Sequence, residues 1–193
     1  LDERDGKPFS TQFSHTRFLT PLLAQAETEA SWALFTDCDW LWLEDPYKIL
    51  KEADRSKTVM VVPHNYVPKT ERKMDNQIQT KYNRKLWSAC MLWNLRSKHL
   101  PTFEMVNEAD GGYLHKFGWL DDDQIGFLDE AWQWIPGASP TTQASLDLEG
   151  NNKHTPVNAV HMTLGIPGMA DREPTPFDTM WTNELVDAYR TKF

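Results

Sequence analysis

Cysteine is scarce: Cys38 and Cys90 are the two in 193 residues. Two thiols cannot build a disulfide framework, and both sit in apolar runs, which predicts buried free thiols in a reducing compartment. No stretch approaches the roughly 18 uninterrupted apolar residues that a membrane-spanning helix needs. The first residues, Leu1-Asp2-Glu3-Arg4-Asp5-Gly6-Lys7, are charged where a signal peptide would be apolar. Together these absences predict a chain with no membrane span and a cytoplasmic location. Basic residues are in deficit, 20 Lys and Arg against 28 Asp and Glu, for a formal net charge of -8. That balance predicts no nucleic-acid partner and leaves room only for a local basic patch facing phosphate. Internal repeats are missing too.

What is present suffices for one sizeable core: 40% of residues are hydrophobic and 12% aromatic. Ser14 or Thr16 caps a helix that carries Phe18, Leu19, Leu22 and Leu23 at helical spacing and ends near Glu29. Pro21 falls near its first turn, where a missing N–H costs little. Residues 32–36, 58–62 and 88–93 read as interior strands, being apolar and rich in β-branched or aromatic side chains. Asp45-Pro46 opens a short helix, 102–109 and 123–128 read as further short helices, 157–161 as a late strand and 182–189 as a closing helix. Segments 69–85 and 137–153 show no clean period and read as long loops. Strands apolar on both faces, alternating with helical patterns, predict an α/β fold with a mostly parallel central sheet flanked by helices. Ligands of such sheets bind beyond the carboxyl ends of strands.

In the run from Ala33 to Leu43, ALFTDCDWLWL, Asp37 and Asp39 stand one residue apart inside an otherwise apolar stretch. Residues i and i+2 of an extended segment project to the same side, so both carboxylates converge on one point past the strand end. Close carboxylates repel, and a divalent cation satisfies both. A solvated turn is the competing reading, since Asp-x-Asp is common and Asp121 to Asp123 supplies another. Such a turn should not be followed at once by Trp40-Leu41-Trp42-Leu43. His161 ends another short apolar run and precedes Gly165, Pro167 and Gly168, a turn able to close over a ligand. A strand-end histidine is also a common structural residue. Two carboxylates and one imidazole suit Mn²⁺, with Mg²⁺ as second choice, and leave positions for phosphate oxygens.

Five blocks, SHTRFLTPLL, WALFTDCDWLWLEDP, WSACMLWNL, WLDDDQIGFL and AVHMTLGIPG, follow in an order that resembles the glycogenin-like and lipopolysaccharide-galactosyltransferase-like retaining glycosyltransferases of the GT-A, nucleotide-diphospho-sugar transferase, fold. The likeness is greatest to small bacterial and large-DNA-virus members of the chlorovirus capsid type. The resemblance implies that Asp37, Asp39 and His161 hold the metal, Mn²⁺ or Mg²⁺, against the diphosphate of a UDP-sugar. It implies that Arg17 faces the diphosphate and donor sugar, and that Thr36, Cys38, Ser88, Ala89 and Gly165 join the donor-binding set. Asp121-Asp122-Asp123 aligns with the family's Asp-Gln-Asp beside sugar and acceptor, which makes Asp121, Asp122 and Arg17 the catalytic candidates. The acceptor would be a glycan or glycoprotein.

Breaking a glycosyl phosphate puts oxocarbenium character on the sugar and negative charge on the departing diphosphate, so a cation and Arg17 aimed there stabilise what develops. The competing readings are a helix N-terminus for Asp121 and Asp122 and a surface salt bridge for Arg17. His64 follows a strand as either an acceptor-cleft or a plain loop residue. Lys69, Arg72, Lys73, Lys81, Arg84 and Lys85 form a basic loop. Trp87, Trp93, Trp119, Trp132 and Trp134 are core residues or sugar-stacking platforms. Against the family pattern, the Asp-x-Asp lies close to residue 1, so 1–193 is expected to be one catalytic domain lacking the N-terminal nucleotide-binding strand-helix-strand. The turn at Gly165 lacks the family lysine, and Asp122 replaces its Gln. The expected activity is transfer of a sugar with retention. The alternatives are a metal-dependent sugar-nucleotide hydrolase or phosphoesterase, with Asp121 or Asp123 as base, and a non-catalytic carbohydrate-binding module.

Overall fold

The structure, a computed structural model, describes residues 14–64, 84, 86–139, 157–170 and 172–191. Its strands are β1 (Trp32–Thr36), β2 (Trp40–Trp42), β3 (Val59–Val61), β4 (Cys90–Asn94), β5 (Ile125–Phe127) and β6 (Ala159–His161). Its α-helices are α1 (Thr20–Glu27), α2 (Phe103–Glu108), α3 (Gly111–His115) and α4 (Asp178–Arg190). They pack as two compact units, one of Leu1–Thr36 with Ile49–Leu128, the other of Asp37–Lys48 with Asp129–Phe193. Among the described residues no helix is long and apolar enough to cross a membrane.

The first unit is built on a four-stranded sheet in the order β1-β4-β3-β5. β4 runs antiparallel to both neighbours, with Trp32 opposite Asn94, Thr36 opposite Cys90 and Val59 opposite Trp93. Only β3 and β5 are parallel, with Met60 opposite Gly126. The sheet is therefore mixed rather than mostly parallel. Apolar residues on both faces report that a strand is covered on both sides; they carry no information about its direction. Phe18, Val59, Val61, Met91, Trp93, Leu114, Phe117 and Ile125 form the core here. Trp93 is fully buried and stacks near Trp119, with ring centroids 6.5 Å apart.

Local chemistry explains the elements. Thr16–Leu19 forms a 3-10 turn before α1, and Pro21 sits at the start of the helix, where no N–H is required. The Thr102 hydroxyl accepts the Met105 N–H at 3.0 Å and starts α2. An Asp110 carboxylate oxygen accepts the Tyr113 N–H at 2.9 Å and starts α3, which its two leading glycines hide from a propensity reading. The helix expected over 123–128 is instead a 3-10 turn, Asp122–Gln124, followed by β5. The acidic triplet does look like a helix start, but pairing with β3 captures Ile125-Gly126-Phe127.

The second unit holds a two-stranded antiparallel sheet, β2 with β6, in which Trp40 faces His161 and Leu41 faces Val160. Leu41, Trp134, Val160, Met162 and Phe177 pack together beneath it. The expected late strand and closing helix are both present, as β6 and α4. Segment 140–153 of one expected loop, and residues 69–83 and 85 of the other, lie outside the described residues.

Gly126 is where this packing is least forgiving. A Cβ there would overlap Met60 Sδ and lie 2.8 Å from Lys57 Cγ. Gly126→Ala is expected to cost about 1–3 kcal/mol of stability, the usual range for overpacking, read as a lowered urea midpoint. In a Met60→Ala background the same substitution should cost less, read as non-additivity in a double-mutant cycle.

Candidate metal centre

Asp37, Cys38 and Asp39 immediately precede β2, and His161 ends β6. The Met162 N–H donates to the Asp39 carbonyl at 2.8 Å, which extends the β2–β6 ladder one step and fixes the Asp39 backbone beside His161. His161 Nε2 lies 3.3 Å from Asp39 Oδ1 and 3.9 Å from Asp37 Oδ2. One ligand atom from each of the three residues falls within 4.8 Å of the others. The imidazole is buried, whereas the Asp37 and Asp39 side chains keep 26% and 28% of their exposure. A cation here would be gripped from inside by nitrogen and from the rim by two carboxylates, with its outward side open. Two hard oxygens and one imidazole fit Mn²⁺ or Mg²⁺.

Trp40, from the apolar run after Asp39, and Gln133, which the sequence reading did not single out, frame His161. Its ring stacks on Trp40, with centroids 4.6 Å apart and planes 26° from parallel. Its Nδ1 lies 3.2 Å from the carboxamide of Gln133, which is fully buried. The available signal was a polar residue trapped between tryptophans in Ala131-Trp132-Gln133-Trp134-Ile135.

The glycine turn beyond His161 is also braced. Gly165 and Gly168 have φ of 117° and 96°, values side chains rarely adopt. Arg172 Nε donates to the Gly165 carbonyl at 3.1 Å, while its two terminal nitrogens grip Asp178 at 2.7 and 2.5 Å. The hydrogen bond from Arg172, helped by Thr175, holds the Asp178 carboxyl down at about 2. Arg172 escaped the sequence reading because its partners depend on the turn.

In the first unit the structure brings Arg17 and Ser88 together. Arg17 is buried, donates from Nη1 to the Ser88 carbonyl at 3.0 Å, and lies 5.3 Å from the centre of the Phe35 ring. Ser88 Oγ is 2.6 Å from Nδ1 of His115, another residue the sequence did not reveal. Ala89 is buried beside Ser88. Asp121 and Asp122 are exposed. The Asp121 N–H donates to Gln124 Oε1 at 2.9 Å, as in a helix start. Asp122 pairs with Arg84, whose guanidinium also donates to the Lys116 carbonyl at 2.7 Å and lies over the Trp87 ring.

The remaining expectations divide. Cys90 is buried, but Cys38 is exposed, since the turn between the two aspartates breaks the apolar run as the sheet ends. Thr36 and His64 are half-buried. Trp93, Trp132 and Trp134 are core residues, and Trp87 and Trp119 are partly exposed. Of the expected basic loop, only Arg84 is among the described residues. A polar cavity of about 690 Å³ in the first unit, lined by Arg55, Lys57, Arg96 and Asp123 among others, opens where Trp32 pairs with Asn94, the opposite end of the sheet from Ser88.

No protein-family model matches the chain. It is similar to Protein CDI of Arabidopsis thaliana, 36% identical over 182 residues that make up 93% of this chain and 66% of that protein. The chain thus spans 66% of the length of that relative. Among solved structures it is similar to galactosyltransferase LgtC in complex with donor and acceptor sugar analogues, at a TM-score of 0.52 and 15% identity over 97% of this chain and 75% of that one. Mouse xyloside xylosyltransferase 1, apo form, overlaps at 0.45 with 11% identity over 78% of this chain and 65% of that one. The likeness to LgtC shows that the chain has the α/β GT-A fold.

The Arg172–Asp178 pair makes the brace sensitive to acid. A carboxyl held at about 2, below its ordinary 3.8, stabilises the fold above its ordinary value, and that stabilisation is lost as the pH falls through about 2. Arg172→Met should lower the urea midpoint at neutral pH, and the gap from wild type should close as the pH approaches about 2.

Proposed function

We propose that this GT-A-fold chain is a glycosyltransferase dependent on Mn²⁺ or Mg²⁺ that moves a sugar from a UDP-sugar to a glycan or glycoprotein acceptor with retention of configuration. The reading is carried by the cluster of Asp37, Asp39 and His161, whose ligand atoms meet within 4.8 Å in the second unit. LgtC, whose fold the chain shares, is a galactosyltransferase captured with donor and acceptor sugar analogues, which supports a sugar donor and a sugar acceptor here.

When bound, a divalent cation stabilises the negative charge that builds on a departing diphosphate. Asp37 and Asp39 would hold it by their carboxylates and His161 by Nε2, with the ring kept in place by Trp40. The buried imidazole keeps water from the inner side of the cluster, and the partly exposed carboxylates leave the outer side for phosphate oxygens. Gly165 takes a donor-binding role in a turn whose carbonyl Arg172 fixes, which lowers the ordering cost of closing over a ligand. In the first unit, Arg17 is assigned to the diphosphate, a role favoured by a guanidinium already anchored on the Ser88 carbonyl. Asp121 and Asp122 are assigned to the sugar hydroxyls and the electron-poor face of the ring. Thr36, Cys38, Ser88 and Ala89 complete the donor-binding set.

Calorimetric titration of UDP is expected to show binding with MnCl₂ and none with EDTA. Asp39→Asn should abolish the metal-dependent heat while leaving the melting curve near wild type, because one partly exposed charge is removed. UDP release from a UDP-sugar should rise when acceptor sugar is added. Release indifferent to acceptor would instead identify a hydrolase.

A further inference from the structure

We infer that Gln133 is the positioning residue that decides which nitrogen of His161 is offered to a cation, and that it does so because an amide, unlike a carboxylate, can both donate and accept. The inference rests on the metal-site reading above. His161 Nε2 faces the two aspartates, and its Nδ1 faces the Gln133 carboxamide at 3.2 Å. Both residues are buried, Gln133 at 0% and His161 at 1% exposure, so water does not stand in for the partner that each gives the other. Trp40 covers one face of the imidazole, and the Trp134 carbonyl accepts the His161 N–H at 2.9 Å. The ring therefore cannot turn away from either partner.

A neutral imidazole carries one ring proton. With the Gln133 NH₂ group toward Nδ1, Nδ1 accepts and the proton sits on Nε2, on the side of Asp39 Oδ1 3.3 Å away. A lone pair for a cation on Nε2 requires the proton on Nδ1 and an acceptor facing it. The Gln133 carboxamide oxygen is that acceptor. A half-turn of the amide exchanges its oxygen and NH₂ at unchanged volume, and the ring still carries one proton. Gln133 thus suits a metal-free state, in which the Nε2 proton faces Asp39, and a metal-holding state, in which Nε2 binds. A glutamate would favour the second state alone, and an apolar residue would support neither.

The test titrates MnCl₂ by calorimetry into wild type, Gln133→Met, Gln133→Glu and Asp39→Asn, with thermal melts of each. Gln133→Met is expected to weaken Mn²⁺ binding by roughly 10- to 100-fold, the usual cost of losing the partner behind a metal-bound histidine. Gln133→Glu is expected to bind at least as tightly as wild type. A role in packing alone reverses that order, because methionine nearly matches the shape of glutamine and a buried carboxylate does not suit an apolar site. Wild-type affinity in Gln133→Met, or an equal loss in Gln133→Glu, overturns the inference while the metal centre stands. A wild type that binds no Mn²⁺, or an Asp39→Asn variant that binds it equally well, overturns the metal reading itself. Should Gln133→Met fail to fold, long-range ¹H–¹⁵N spectra of wild type with Zn²⁺ decide. A proton on Nδ1 of His161 supports the inference, and a proton on Nε2 with Zn²⁺ bound elsewhere overturns it.

Discussion

Every feature of the candidate centre depends on one short ladder, the antiparallel pairing of β2 with β6 that sets Trp40 opposite His161. Side chains alternate between faces with a period of two, so a slip of one residue would turn His161 away from both aspartates. Strands this short hold their register poorly alone. Here β6 is bonded on both edges: the Trp134 N–H donates to the Ala159 carbonyl at 3.0 Å, and the His161 N–H donates to the Trp134 carbonyl at 2.9 Å. The same backbone that pins β6 therefore also delivers Gln133, one residue before Trp134, to the imidazole.

Burial sets the character of that centre. A buried imidazole stacked on Trp40 and the buried carboxamide beside it would be costly if either lacked a partner. Each gives the other one, which makes the pair far more specific in geometry than the exposed polar groups around it. The apolar run after Asp39 acquires its reason here. Trp40 is the wall of the site, and its presence distinguishes the Asp-x-Asp at 37–39 from the one at 121–123, whose carboxylates stand in solvent.

Much of this was legible in the sequence, and the boundary is physical. The strands around 32–36, 58–62 and 88–93 were readable because a buried strand needs β-branched and aromatic residues wherever it pairs. Their directions were not, since burial on two faces looks alike in either direction. The aspartates and His161 could be joined because charge inside apolar runs is conspicuous and both end strands. Gln133, His115 and Arg172 could not be found that way. Gln133 and His115 gain meaning from partners 28 and 27 residues distant, and Arg172 from a turn whose shape rests on Gly165. The misread helix at 123–128 has the same origin: a local signal for a helix start was real, and pairing with a distant strand overruled what should have followed it.

Two of the arginine–aspartate pairs among the described residues show how similar chemistry is put to different use. Arg172 and Asp178 are joined by two parallel bonds with the arginine side chain 8% exposed, a geometry that holds a turn in place. Asp122 pairs with Arg84 while 90% exposed, and a carboxylate so open to water gains little from its partner. Arg84 is held independently, by its bond to the Lys116 carbonyl and its position over Trp87. Losing Asp122 to another ligand would thus cost the fold little, whereas losing Asp178 would release the Gly165 turn.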